Sequence, residues 1–235
     1  MNATIKEEAQ RRGITRLCHF TPSRNLIHIA SGVTGILATR KLEEEERKLY
    51  TSTDLLRLDG HQGYISCSVE YPNAWYFDKA RGKDVLFKDW VVMMIKPKCL
   101  WADGTKFCAR NAAGACGAEI AEGEAAFHVM FAASVRGAGG KTFTRSSSHL
   151  PCCPTDEQAE VLIPDQVPLE DVLAVVVSSD TQAKNENARF WAVGVPAKHF
   201  RLVVAPTFFD KWALSTCIRS GNRPTESVWS PGGGR

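Results

Sequence analysis

Gln158-Ala159-Glu160 runs directly into Val161-Leu162-Ile163, and Pro164 closes the run, so the segment reads as a short buried strand headed by a carboxylate. Glu is depleted in strands and rarely buried without a partner. Glu160 is therefore either an edge residue facing water or a placed catalytic group. The segment upstream argues for the second. Gly137 to Gly140, then Lys141-Thr142-Phe143-Thr144-Arg145 and Ser146 to His149, form a glycine-rich basic loop delivered to the glutamate, and loops held by a rigid strand commonly carry function.

The remaining runs mix short strands with helices. Strands are expected at 16–20, Tyr64–Val69, Trp90–Ile95, 172–178 and 201–205. Thr4 to Arg12 reads as a helix stopped by Gly13; a second starts at Thr21-Pro22 and ends by Gly32 with Leu26, Ile27 and Ala30 as its buried stripe. Further helices are expected over 74–81, 118–133 and 182–191, with the acidic and basic run from Glu43 to Lys48 as a solvated face. The strands and helices do not alternate regularly, and no glycine-rich phosphate loop joins strand to helix. The reading is an α+β fold with mixed or antiparallel sheets and flanking helices, and a Rossmann enzyme is disfavoured. The expected organisation is an N-terminal helix at 1–13, one domain over 14–225, and a disordered tail from 226.

At 235 residues and 44% hydrophobic content the chain can bury one sizeable core, and a net charge of +3 is too mild to assert nucleic-acid binding by itself. Local charge says more. No acidic residue falls between Ala125 and Thr155, while Arg136, Lys141, Arg145 and His149 do, so that stretch would attract a polyanion. Eight cysteines without an export signal suit a reducing cytoplasm, and the absence of any C-x-x-C pair argues against a metal site. No apolar run reaches membrane-spanning length. Neither G-x-S-x-G nor H-E-x-x-H occurs. His19, Thr21 and Asn25 are placed to face one ligand, and Arg57 between two leucines either pairs with Asp59 or holds a phosphate.

Several short motifs, taken in order, carry a resemblance. Leu17-Cys18-His19-Phe20-Thr21 with Asn25-Leu26, Arg57-Leu58-Asp59-Gly60, Ser66-Cys67-Ser68 with Tyr71-Pro72-Asn73, Asn111-Ala112-Ala113 and Gln158-Ala159-Glu160 resemble the DarT-type DNA ADP-ribosyltransferase toxins over about residues 14 to 180. The resemblance implies a single-domain ADP-ribosyltransferase fold that transfers ADP-ribose from NAD, without a metal, to a base of single-stranded DNA. It implies a cognate antitoxin that reverses the modification, and a cytoplasmic monomer is the expectation. Glu160 would be catalytic, with Arg57 and Gln158 beside it. His19, Phe20, Thr21, Asn25, Arg57 and Ser68 would bind NAD, and Arg136, Lys141, Phe143, Arg145 and His149 would bind DNA. Arg57-to-Gly60 and Tyr71-to-Asn73 look closer to the guanine-modifying branch, with thymine second. A transferase acting on RNA or protein, or a nucleic-acid-binding module with a structural Glu160, is the alternative.

Overall fold

The computed structural model describes residues 3–31, 34–42, 59–83, 88–137, 140–195 and 200–231. Arg57 and the charged run Glu43 to Lys48 lie outside the described residues. In chain order the elements are α1 (Ala3–Arg12), β1 (Leu17–Pro22), α2 (Ser23–Ser31), β2 (Ile36–Leu37), β3 (Tyr64–Val69), α3 (Ala74–Lys83), β4 (Trp90–Ile95), β5 (Lys106–Cys108) and β6 (Ala121–Glu122). There follow α4 (Gly123–Val129), β7 (Ser134–Arg136), β8 (Thr142–Thr144), β9 (Glu160–Pro164), β10 (Gln166–Val167), β11 (Val172–Val177), α5 (Asp180–Ala192), β12 (Leu202–Val204), α6 (Lys211–Ser220) and β13 (Ser227–Val228).

The main sheet runs β13-β12-β11-β4-β1-β3-β9-β5-β6. Its pairs are antiparallel except β11 with β12, which are parallel and joined through α5. That is the α+β, mixed-sheet architecture the strand pattern calls for. β4 is buried at every position, which is why it reads as an unbroken apolar run rather than an alternating one. Burying each of its valines or isoleucines contributes on the order of 1.5 to 3 kcal/mol.

The sheet divides in its middle. β1 pairs with β3 only through Leu17–Val69 and Cys18–Ser68. From His19 onward β1 continues against β4 alone, while the first half of β3 turns to β9. Two half-sheets thus share β3, and the gap between them opens at His19. Just past the seam, Glu70 takes a left-handed backbone (φ 64°) although fully buried. Its carboxylate accepts from the Thr15 N–H (2.7 Å), the Thr15 hydroxyl (2.9 Å) and Arg223 (2.9 Å), and its carbonyl accepts from Arg16 Nε (2.8 Å), so the contacts hold the strained turn.

Several expectations are corrected. Thr21 and Pro22 stay in β1, paired with Val91 and Trp90, so α2 begins at Ser23, and Ile29 rather than Ile27 joins Leu26 and Ala30 in its buried stripe. The helix expected over 118–133 shrinks to α4, because Gly123 has φ 85° and the residues before it pair as β6 with β5. Glu119, just before β6, is exposed and pairs with Arg110 at 2.6 Å. The tail is structured up to residue 231: Glu226 accepts from Arg16 at 2.7 Å, β13 pairs with β12, and the Trp229 N–H donates to the Leu202 carbonyl.

Candidate active site

Glu160 opens β9 and is half-buried, with one oxygen taken by each of two neighbouring elements. Its Oε2 accepts the Ser66 hydroxyl from β3, and its Oε1 accepts the Ala112 N–H at 3.2 Å. The β3–β9 register pairs Ser66 with Leu162, so the Ser66 hydroxyl reaches Glu160 diagonally on the same face. Ala112 is presented by the Asn111 side chain, whose Oδ1 accepts the Ala113 N–H (3.1 Å) and closes the turn. The hydroxyl and the backbone amide together orient the carboxylate.

His19 meets the same serine. Its Nδ1–H donates to the Ser66 carbonyl at 2.9 Å, across the gap where β1 leaves β3. With a carbonyl as the acceptor, Nδ1 carries the proton of this bond. Ser66 thus ties a histidine on one half-sheet to a carboxylate on the other. Sequence reading named Ser68 and passed over Ser66. Both lie in Ser66-Cys67-Ser68, and the choice depends on a cross-strand register that no local pattern contains.

The other residues expected at the site fall into distinct places. Thr21 and Asn25 are buried and bond each other, Nδ2 to Oγ1 at 2.9 Å, across the strand-to-helix turn. Phe20 stacks on Phe77 with ring centroids 4.6 Å apart. Ser68 is buried and its hydroxyl accepts the Asn73 N–H at 2.9 Å, capping the turn at Pro72-Asn73. Gln158 is half-buried two residues before Glu160, its N–H donating to Asp156 Oδ1 at 2.9 Å. Burial raises the Asp156 carboxyl above its usual range. Cys108, directly across from Glu160, has its thiol pushed up to about 11 by burial, with the Glu160 charge adding to the effect. Cys67 is likewise raised by burial, so neither thiol beside the carboxylate is a nucleophile at neutral pH.

The basic segment is not a loose loop. β7 and β8 form a hairpin pairing Arg136 with Thr142 and Val135 with Phe143. The Phe143 ring lies so close over Gly137 that a Cβ there would stand 2.1 Å from it and the ring would have to shift. Arg136 and Lys141 are exposed on this hairpin. Arg145 and His149 are corrected. The Arg145 guanidinium donates to the Cys153 (2.7 Å) and Leu150 (2.6 Å) carbonyls, folding the segment that leads to Glu160. His149 is buried, hydrogen-bonds to the Pro154 carbonyl at 3.1 Å, and has its pKa lowered to about 4 by burial and by Arg145, so it is neutral at pH 7. Among the described residues, no group of three His, Cys, Asp or Glu side chains could hold a metal ion, and no helix is long and apolar enough to cross a membrane.

A family model described as DarT, ssDNA thymidine ADP-ribosyltransferase, matches residues 18–209. A search of curated proteins finds no match. Among solved structures, Thermosipho africanus DarTG in complex with ADP-ribose superposes with a TM-score of 0.54 at 16% identity, covering 83% of this chain and 51% of that one. Thermus sp. 2.9 DarT in complex with NAD+ gives 0.51 at 12% identity, covering 83% and 97%, and its complex with ADP-ribosylated ssDNA gives 0.53 at 11%, covering 84% and 97%. This chain therefore spans about half the length of the Thermosipho protein. The likeness extends to the ADP-ribosyltransferase fold as a whole. With a family model matched over most of its length and a carboxylate fixed at the seam of a divided sheet, the chain belongs to the DarT family of NAD-dependent single-stranded-DNA ADP-ribosyltransferases.

Proposed function

We propose that this chain transfers ADP-ribose from NAD to a base of single-stranded DNA, guanine first and thymine second, as the toxin of a toxin–antitoxin pair. The observation that carries this reading is the joint placement of Glu160 and His19 on Ser66. In the reaction the C1′–N bond to nicotinamide breaks, and nicotinamide leaves with the bonding pair. The ribose then carries oxocarbenium character, which the Glu160 carboxylate, aimed from its two hydrogen bonds, stabilises. A ring nitrogen or exocyclic amine of the base forms the new bond to C1′, and its proton passes to Glu160. His19 binds the ribose of NAD in this reading, and Gln158 orients the acceptor base by hydrogen bonds. Thr21, Asn25, Phe20 and Ser68 act by shaping the wall that receives NAD. Arg57 is proposed for the pyrophosphate on its motif alone; Arg57→Ala should weaken NAD binding in calorimetric titration, with Lys rescuing partly.

Guanine is favoured by the Arg57-to-Gly60 and Tyr71-to-Asn73 motifs, whereas the matched family model is described by thymidine. Supporting a cytoplasmic toxin are eight cysteines that are all free thiols. The antitoxin is proposed as a partner that removes the modification, and the transferase itself as a monomer. The test incubates the protein with NAD and four oligonucleotides, each rich in one base, and locates the mass increment by tandem mass spectrometry. Guanine should carry it in single strands and not in the paired sequence, since duplex stacking hides the reacting atoms. Label on thymine alone reverses the base assignment, and label confined to protein or RNA overturns the reading.

A further inference from the structure

Trp212, at the second position of α6, leaves 66% of its surface exposed. Trp75 of α3 stands edge-on against it, ring centroids 4.8 Å apart at 81°, and Lys211 Nζ lies 5.7 Å from the Trp75 ring and 5.9 Å from the Trp212 ring. The pair is braced to the loop that ends at the catalytic carboxylate. Trp75 Nε1–H donates to Glu157 Oε2 at 3.1 Å, and Glu157 Oε1 takes the Ser215 hydroxyl (2.9 Å) and Arg219 (2.7 Å) from α6. Glu157 adjoins Gln158 and precedes Glu160 by three residues. Residue 212 lies outside the 18–209 span matched by the family model.

We infer that the exposed Trp212 face, backed edge-on by Trp75, stacks a base of the DNA strand next to the nucleotide presented to Glu160. This rests on the DNA-transferase reading above. A single-stranded nucleic acid fits the patch because any base offers a π-face to an exposed indole, and cations flank the rings for the backbone. Lys211 is one, although it also pairs with Asp78; exposed Lys79, one turn along α3 from Trp75 and on the same side, is the other. The neighbouring carboxylates are spent. Asp78 pairs with Lys211 (2.7 Å) and Arg81 (3.5 Å), Asp210 caps α6 through the Trp212 and Ala213 N–H groups, and Glu157 is bound as described.

The test measures transfer from labelled NAD as a function of oligonucleotide concentration for the wild type, Trp212→Ala, Trp212→Phe and, as a control on an exposed indole of α5, Trp191→Ala. Trp212→Ala should raise the KM for oligonucleotide roughly ten-fold or more, the loss expected of one stacked base, while Trp212→Phe keeps most of the affinity. Trp191→Ala should match the wild type. An unchanged KM in Trp212→Ala, or an equal rise in Trp191→Ala, overturns the inference, and the unchanged KM would make the two tryptophans a protein-contact face instead. A wild type that labels no oligonucleotide removes the transferase reading itself, and this occupant with it.

Discussion

The Ser66 hydroxyl reaches Glu160 diagonally across the β3–β9 pair, while the same residue's carbonyl holds His19. The two bonds come from different atoms, so mutation can separate them. Ser66→Ala removes the hydroxyl and leaves the carbonyl. It should lower kcat by about ten-fold or more through a misaimed carboxylate, with the KM for NAD little changed. Glu160→Gln keeps the shape and removes the charge; transfer should fall by about 10² to 10³ at least. Both are measured by label transfer to oligonucleotide, with circular dichroism reporting the fold. A folded Glu160→Gln at wild-type rate would reject the assignment.

The hairpin and the segment after it should respond differently to loss of a cation. Arg136→Ala and Lys141→Ala should weaken DNA binding across all sequences and each reduce the salt slope by about one. Arg145→Ala should instead destabilise the fold by about 1 to 3 kcal/mol, because the Cys153 and Leu150 carbonyls lose their donor. Oligonucleotide affinity at several salt concentrations and urea denaturation sort the three. A salt-dependent binding loss in Arg145→Ala at full stability reverses its placement.

His149 predicts an acid weakness. Its pKa falls from 6.5 to about 4 on folding, so the native state holds the neutral ring and protonation favours unfolding. Its stabilising contribution is complete above pH 6.5 and is lost as pH falls toward 4, at no more than about 1.4 kcal/mol per pH unit. His149→Gln keeps a donor for Pro154 without the charge. The difference between wild-type and variant urea midpoints should shift in the variant's favour across that window, and a constant difference would show that the ring is not buried neutral.

The C-terminal segment should act as a clasp. Arg16 is nearly buried, donates to Glu226 at 2.7 Å, and lies 5.2 Å from the Tyr71 ring centroid. Removing Glu226 leaves that guanidinium without its carboxylate, so Glu226→Ala should cost about 3 to 5 kcal/mol, close to the loss for a broken buried pair. Arg16→Met with Glu226→Leu should recover much of it. Denaturation midpoints for the three proteins settle the point.

Sequence patterning shows most where side-chain period and burial coincide. β3 and β4 are bounded at the expected residues because one half-alternates and the other is apolar throughout. The hairpin of β7 and β8 escaped because each strand has three residues, mostly exposed, with too little period to read. α6 also escaped, although Asp210 caps it and Gly221 ends it at φ 79° around the buried Leu214 and Ile218, signals present in the chain. At the site, Glu160 and His19 were legible as residue types. What joins them was not: Ser66 and the Ala112 amide are chosen by which strand lies beside which, and by a diagonal contact.

The two-pair seam between β1 and β3 sets unequal tolerance to change in chain length. A one-residue insertion within Ser66–Ser68 would invert the faces of everything on one side of it, swinging the serine hydroxyl away from β9. β1 would keep all six of its partners on β4 and register nothing. The half-sheet that carries the histidine is thus unable to correct a slip in the half that carries the carboxylate, and lineages of this chain should lengthen in their loops while β3 keeps its count.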